Sequence, residues 1–70
     1  MESFRLSGDY IELSKLLKAT GLCQTGGMAK IAIQEGQVRV DGAVEHRKRR
    51  KIRNRQRVEY NGRTIEVKQV

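Results

Sequence analysis

Gly36-Gln37-Val38-Arg39-Val40-Asp41-Gly42-Ala43-Val44 is where the hydrophobic spacing of this chain changes from helical to strictly alternating. Val38, Val40 and Val44 alternate with Arg39 and Asp41 around an Asp-Gly pair. That dipeptide between alternating apolar residues is the strongest short-range signal for a tight β-hairpin. Val58 and Tyr60, then Ile65 and Val67, flank a second such pair at Asn61-Gly62. The spacing therefore predicts two hairpins, with the last strand, Thr64 to Val70, as a candidate free edge open to another chain.

Upstream of residue 36 the period is helical. Tyr10, Leu13, Leu16 and Leu17 recur at three- and four-residue spacing and make one apolar stripe, with Lys15 and Lys18 pointing elsewhere. Asp9 and Glu12 fit a capping box, Gly21 supplies a left-handed stop, and Leu22 can fold back onto Leu17, so the first helix is predicted from Tyr10 to Thr20. Thr25 is a good N-cap for a second helix, from Gly26 to Glu35, ended by Gly36. Met28, Ala29, Ile31, Ala32 and Ile33 supply its apolar surface. Phe4 and Leu6 alternate with Ser3 and Arg5 as a short N-terminal strand would. The expected class is α+β: a short N-terminal strand, two helices, then two β-hairpins forming a small, mostly antiparallel sheet, in a single domain over residues 1–70.

Gly26 and Gly27 are costly where they stand, since each weakens a helix by roughly 1 kcal/mol relative to alanine. Two explanations fit. Free N–H groups and the positive end of the helix dipole would let a phosphate sit directly against a backbone with no side chains in the way. Equally, the glycines would let another element pack tightly there.

Between the hairpins runs His46–Arg57, HRKRRKIRNRQR, in which eight of twelve residues are Lys or Arg and none is acidic. The chain has 15 Lys and Arg against 8 Asp and Glu, so without this segment seven bases face eight acids. The charge of +7 is therefore local, and a focused positive field attracts polyanions, nucleic acid foremost. A solvated tail is a poor description, because patterned sequence resumes beyond the run. Adhesion to a lipid surface needs Trp, Phe or Leu opposite the charges, whereas Ile52 alone interrupts the polar residues and is the run's expected anchor in the core. No apolar run approaches the roughly 20 residues of a membrane span, and the N-terminal residues lack a signal-peptide pattern. With one cysteine, Cys23, no internal disulfide is available, which suits a reducing, cytoplasmic setting. No His, Cys and carboxylate spacing suggests a metal, and no cofactor is expected.

The helix, the Gly turn, Thr25-Gly26 opening a second helix, and then Gly36 to Gly42 resemble the alpha-L RNA-binding motif. That motif belongs to the domain family named after small-subunit ribosomal protein S-four, which ribosomal proteins share with pseudouridine synthases and a tyrosine aminoacyl-tRNA ligase. The pattern from Gly21 to Gly42 resembles the family's second-helix and first-hairpin signature; its most specific part is Ala29 to Gly42, with a continuation to Glu45 that also fits, and the whole chain looks like the small stand-alone bacterial group of YbcJ-like proteins. The resemblance implies that the start of the second helix and the hairpin loop together grip structured RNA. Broader members commonly carry an Arg after the Ser or Thr at that helix start, where this chain has Gly26. The run from Arg47 to Lys51 is left to supply the charge.

The candidate RNA-binding residues are thus Thr25, Gly26, Gly27, Lys30, Arg39, Arg47, Lys48, Arg49, Arg50, Lys51 and Arg53. The expected partner is structured or double-stranded RNA, read through phosphates and shape because its base edges lie in a narrow groove. Phe4, Tyr10 and Tyr60 are each expected in the core rather than as stacking platforms. As the basic run is expected to lie in a loop, replacing Arg47, Arg49 and Arg50 together by Ala should leave the fold intact. Cys23 and His46 are isolated candidates for nucleophile and base, so no enzyme is predicted. The alternative is an accessory module that binds DNA or docks its basic loop on an acidic protein partner such as a ribosomal or assembly factor. With no leftover apolar stripe, a monomer is expected.

Overall fold

In the computed structural model, which describes all 70 residues, both predicted hairpins form with left-handed turns. The first turns at Asp41 (φ 51°) and Gly42 (φ 85°), the second at Asn61 (φ 53°) and Gly62 (φ 77°). Positive φ at both central residues twists the turn in the sense of the flanking strands, which is why Asp-Gly and Asn-Gly are favoured there. In chain order the strands are β1 (Glu2–Leu6), β2 (Ile11–Glu12), β3 (Val38–Val40), β4 (Ala43–Val44), β5 (Lys51–Ile52), β6 (Arg57–Tyr60) and β7 (Arg63–Gln69). The helices are α1 (Leu13–Ala19) and α2 (Gly26–Gln34), each followed by a left-handed glycine, Gly21 and Gly36.

The main sheet has the order β1-β7-β6-β3-β4 and is mixed. β1 runs parallel to β7, from Glu2 opposite Ile65 to Leu6 opposite Gln69, and the other pairings are antiparallel. This corrects one expectation. The last strand is not a free edge but lies between β1 and β6, so the edges are β1 and β4. Strand alternation places Val38, Val40, Val58 and Val67 on one face, where they form the core with Leu13, Leu16 and Leu17 of α1 and Ala29, Ala32 and Ile33 of α2. Leu22, Phe4 and Tyr60 pack against that core, and Cys23 lies within it. Arg39, Arg57 and Glu59 occupy the exposed alternate positions.

The first helix is shorter than its apolar stripe suggested. Tyr10 is outside it, and Ile11 and Glu12 are extended because they pair with Ile52 and Lys51 in a separate two-stranded ladder. The capping box of Asp9 and Glu12 does not form, since Glu12 takes the N-cap position with no side-chain hydrogen bond. The free N–H groups of Leu13 and Ser14 instead donate to the backbone carbonyls of Arg50 (2.9 Å) and Lys48 (3.1 Å). A distant segment thus satisfies donors that a local cap would otherwise have to satisfy. Thr25 does cap α2, accepting from the Met28 N–H at 3.1 Å. Met28 (49% exposed) and Ile31 (56%) remain outside the core, so the apolar surface of α2 is narrower than its composition suggested. No helix is long and apolar enough to cross a membrane.

Candidate nucleic-acid interface

The basic run divides into two halves with different destinations. Its first half, from His46 to Arg53, rises from β4, turns with Arg50 N–H donating to the Arg47 carbonyl at 3.1 Å, and returns as β5. Three features hold it. Ile52 is fully buried, as expected, but it is not the sole anchor: carbonyls of the loop also accept from the N–H groups that start α1, and Glu45 lies beneath it.

Glu45 is 7% exposed. Its Oε2 accepts from the backbone N–H of Arg47 (3.0 Å) and from Arg47 Nε (3.0 Å), while Oε1 accepts from Arg47 Nη2 (3.2 Å) and Arg50 Nη1 (2.7 Å). The Arg47 hydrogen bonds, with Arg50 adding to them, hold the Glu45 carboxyl down at about 2 despite its burial. The expectation that Arg47, Arg49 and Arg50 are replaceable without structural cost is therefore corrected. Two of the three neutralise a buried carboxylate, and stripping one side of such a pair is costly.

The loop and one flank of α2 enclose an open groove of about 840 Å³. Seven of its ten lining residues are Lys30, Arg47, Lys48, Arg49, Arg50, Lys51 and Arg53, and the others are His46, Gln34 and Gln56. None is acidic or apolar. The only carboxylate ion pairs in the groove are those of Arg47 and Arg50 with Glu45, so Lys30, Lys48, Arg49, Lys51 and Arg53 stand without a carboxylate within 4.0 Å. Uncompensated cations around a concave, water-filled surface focus a positive potential.

A second concavity, about 520 Å³, adjoins the first and shares Lys30, Lys48 and Arg49 with it; Lys15 and Lys18 add two more cations, Glu12 one carboxylate, paired with Lys15 at 4.0 Å, and Ser14 and Gly26 complete the lining. At Gly26 an added Cβ would meet nothing within 4 Å, and at Gly27 it would meet only Thr25 Oγ1 at 3.8 Å. Tight packing of another element against the glycines is thus ruled out, leaving an accessible backbone at the helix start. Thr25 spends its hydroxyl on the cap.

Of the eleven candidate residues, seven line the groove and Gly26 borders the adjoining concavity, with Thr25 and Gly27 beside it in sequence. Arg39 is not brought to the groove. It sits on β3 opposite Glu59 and lines a different surface depression beside Asn61 and Arg63. The end of the run also leaves: Arg57 lies on β6 near Glu2 and Glu59. Gln34 and Gln56 were missed as lining residues. Gln34 follows Lys30 by one helical turn, a spacing that signals a shared face, whereas Gln56 is held at the site by accepting from the Arg53 N–H (2.8 Å) within the local turn and by donating to Asp41 (3.2 Å) across the fold. Cys23 is buried, and burial pushes its thiol up, away from the nucleophilic thiolate.

Two helices on a mixed sheet, with a basic loop bonded to the start of the first helix and facing one flank of the second, define a protein of the S4 domain class. Residues 4–68 match the S4 domain, and the chain belongs to that family. It is 53% identical over 58 residues to "Putative RNA-binding protein YbcJ" of Escherichia coli (strain K12), with 83% of each chain covered. The same figures hold for "Uncharacterized protein YbcJ" of Shigella flexneri. Among solved structures it is similar to the solution structure of YbcJ from E. coli, described as revealing an alfaL motif involved in RNA-binding. That likeness has 49% identity and a TM-score of 0.75, covering 97% of this chain and 87% of that one. The family resemblance read from the pattern of Gly21 to Gly42 is borne out.

Proposed function

We propose that this protein binds RNA without catalysing a reaction on it, gripping a folded or double-stranded region through phosphates and shape. The observation that carries the reading is the groove of seven Lys and Arg side chains with no acidic residue in its lining, five of them free of any ion pair. Phosphates supply the missing counter-charge. The open backbone at Gly26 adds N–H donors at the positive end of α2, where an anion is favoured. The E. coli relative, named "Putative RNA-binding protein YbcJ" and solved as an alfaL motif involved in RNA-binding, points the same way. Among the groove residues, Arg adds planar guanidinium groups that suit phosphate in a bidentate manner.

Binding to a hairpin RNA measured across a salt series tests this reading. If about five cations each meet a phosphate, the log-log slope is expected on the order of −3.5 to −4.5, and Lys48→Gln with Arg49→Gln should make it shallower by about two phosphates' worth. A flat salt dependence would sink the phosphate-grip reading. Duplex DNA competing as well as hairpin RNA at matched salt would favour a general nucleic-acid binder instead, since shape and 2′-hydroxyls distinguish the two.

A further inference from the structure

The small ladder of β2 and β5 is amphipathic in the manner of any half-buried strand pair. Ile11 and Ile52 face each other, with Ile52 fully buried, and Glu12 faces Lys51. Continuing that antiparallel register sets Tyr10 opposite Arg53. Strand alternation puts Tyr10, Lys51 and Arg53 on the side away from Ile52. The ring confirms this placement: Lys51 Nζ lies 4.9 Å and Arg53 Cζ 5.6 Å from its centroid. Tyr10 is 43% exposed, whereas Phe4 and Tyr60, the other two aromatic residues, pack against the core. Its two cationic neighbours both line the basic groove.

From this juxtaposition we infer that Tyr10, flanked by Lys51 and Arg53, is a stacking site for an unpaired nucleobase at the margin of the groove. The inference rests on the RNA-binding reading above and deepens it by naming the feature of the RNA that is selected. Every base presents a π-face, so an exposed ring accepts one without regard to its identity. A base within a helix is already stacked on its neighbours, so the site suits a bulged or looped-out nucleotide. The flanking cations serve the phosphates on either side of that nucleotide, which a solitary exposed aromatic would not provide. Cations over the ring also hold it in place before RNA arrives, limiting the freedom lost on binding.

The test compares a hairpin RNA carrying a one-nucleotide bulge with the same hairpin fully paired, both titrated by fluorescence anisotropy. The wild-type protein should prefer the bulged hairpin by about tenfold, the scale of one base on one aromatic ring. Tyr10→Ala should abolish that preference while still binding the paired hairpin, and Tyr10→Phe should keep it. If the wild type binds both hairpins equally, or if Tyr10→Ala weakens both alike, Tyr10 merely props Lys51 and Arg53 and the inference is overturned. Failure of the wild type to bind either hairpin would instead overturn the RNA reading beneath it. Should Tyr10→Ala not fold by circular dichroism, 2-aminopurine placed at the bulge reads stacking directly in the wild type. Quenching on binding supports the site, and unchanged emission overturns it.

Discussion

Glu45 is nearly inaccessible and its two oxygens are occupied by Arg47 and Arg50, so removing both guanidinium groups leaves a buried charge with only the backbone N–H of residue 47 to pair it. Arg47→Ala with Arg50→Ala should lower the urea midpoint of unfolding, because a carboxylate shielded from water loses both of its cations, although the exposure of Arg47 to solvent screens part of the loss. Adding Glu45→Gln should restore part of the loss, because an underpaired amide is cheaper to bury than a carboxylate. Glu45 also sets an acid limit. Its folded value of about 2 lies below the ordinary 4.5, so its stabilisation is complete above about pH 4.5 and drains away as pH falls toward 2. A Glu45→Gln protein should lose less stability than the wild type in thermal melts between those limits. Arg47 and Arg50 read in sequence as interchangeable members of a basic run. Nothing local to HRKRR reveals that a carboxylate one residue before His46 is buried beneath them.

At the scale of the elements, α2 was legible from Thr25 to Gly36 because its cap and stop are local, whereas α1 was misjudged at its start. Tyr10 falls on the helical stripe by spacing alone, yet the pairing of Ile11 and Glu12 with Ile52 and Lys51 keeps that stretch extended. Two tertiary hydrogen bonds from Leu13 and Ser14 then begin the helix in place of a side-chain cap. Tertiary pairing of this kind overrides periodicity, since a short amphipathic run serves either period until a partner strand is specified. The glycines of α2 give a prediction at this level. Gly26→Ala and Gly27→Ala meet no obstruction, so each should raise stability by about 0.5–1 kcal/mol in denaturant unfolding. If a phosphate rests against that backbone, the same substitutions should weaken RNA binding several-fold, separating stability from affinity in one pair of measurements.

Across the whole molecule, the twelve-residue basic run is one feature of sequence and two of structure. Lys48, Arg49, Lys51 and Arg53 line the groove with Lys30 from α2, while Arg57 lies on β6 beside carboxylates. Charge-matched variants distinguish position from net charge. Lys48→Gln with Arg49→Gln should weaken RNA binding about tenfold or more at low salt, whereas Arg55→Gln with Arg57→Gln should change it little; equal losses would mean that overall charge alone attracts RNA. The amino-acid sequence by itself determined the α+β class, both hairpins, the cap and stop of the second helix and the presence of a polyanion-seeking segment. Each of these depends on residues near one another in the chain: Asp41-Gly42 and Asn61-Gly62 for the turns, Thr25 for the cap, alternating valines for the strands. Only the tertiary structure decided that the last strand is interior, that Arg39 and Arg57 leave the groove, that Glu45 sits under the loop and that Tyr10 stands outside the core. Those outcomes depend on which distant segments pair and on what each buried charge finds opposite it, and long-range pairing of that kind leaves no periodic signature in the segments themselves.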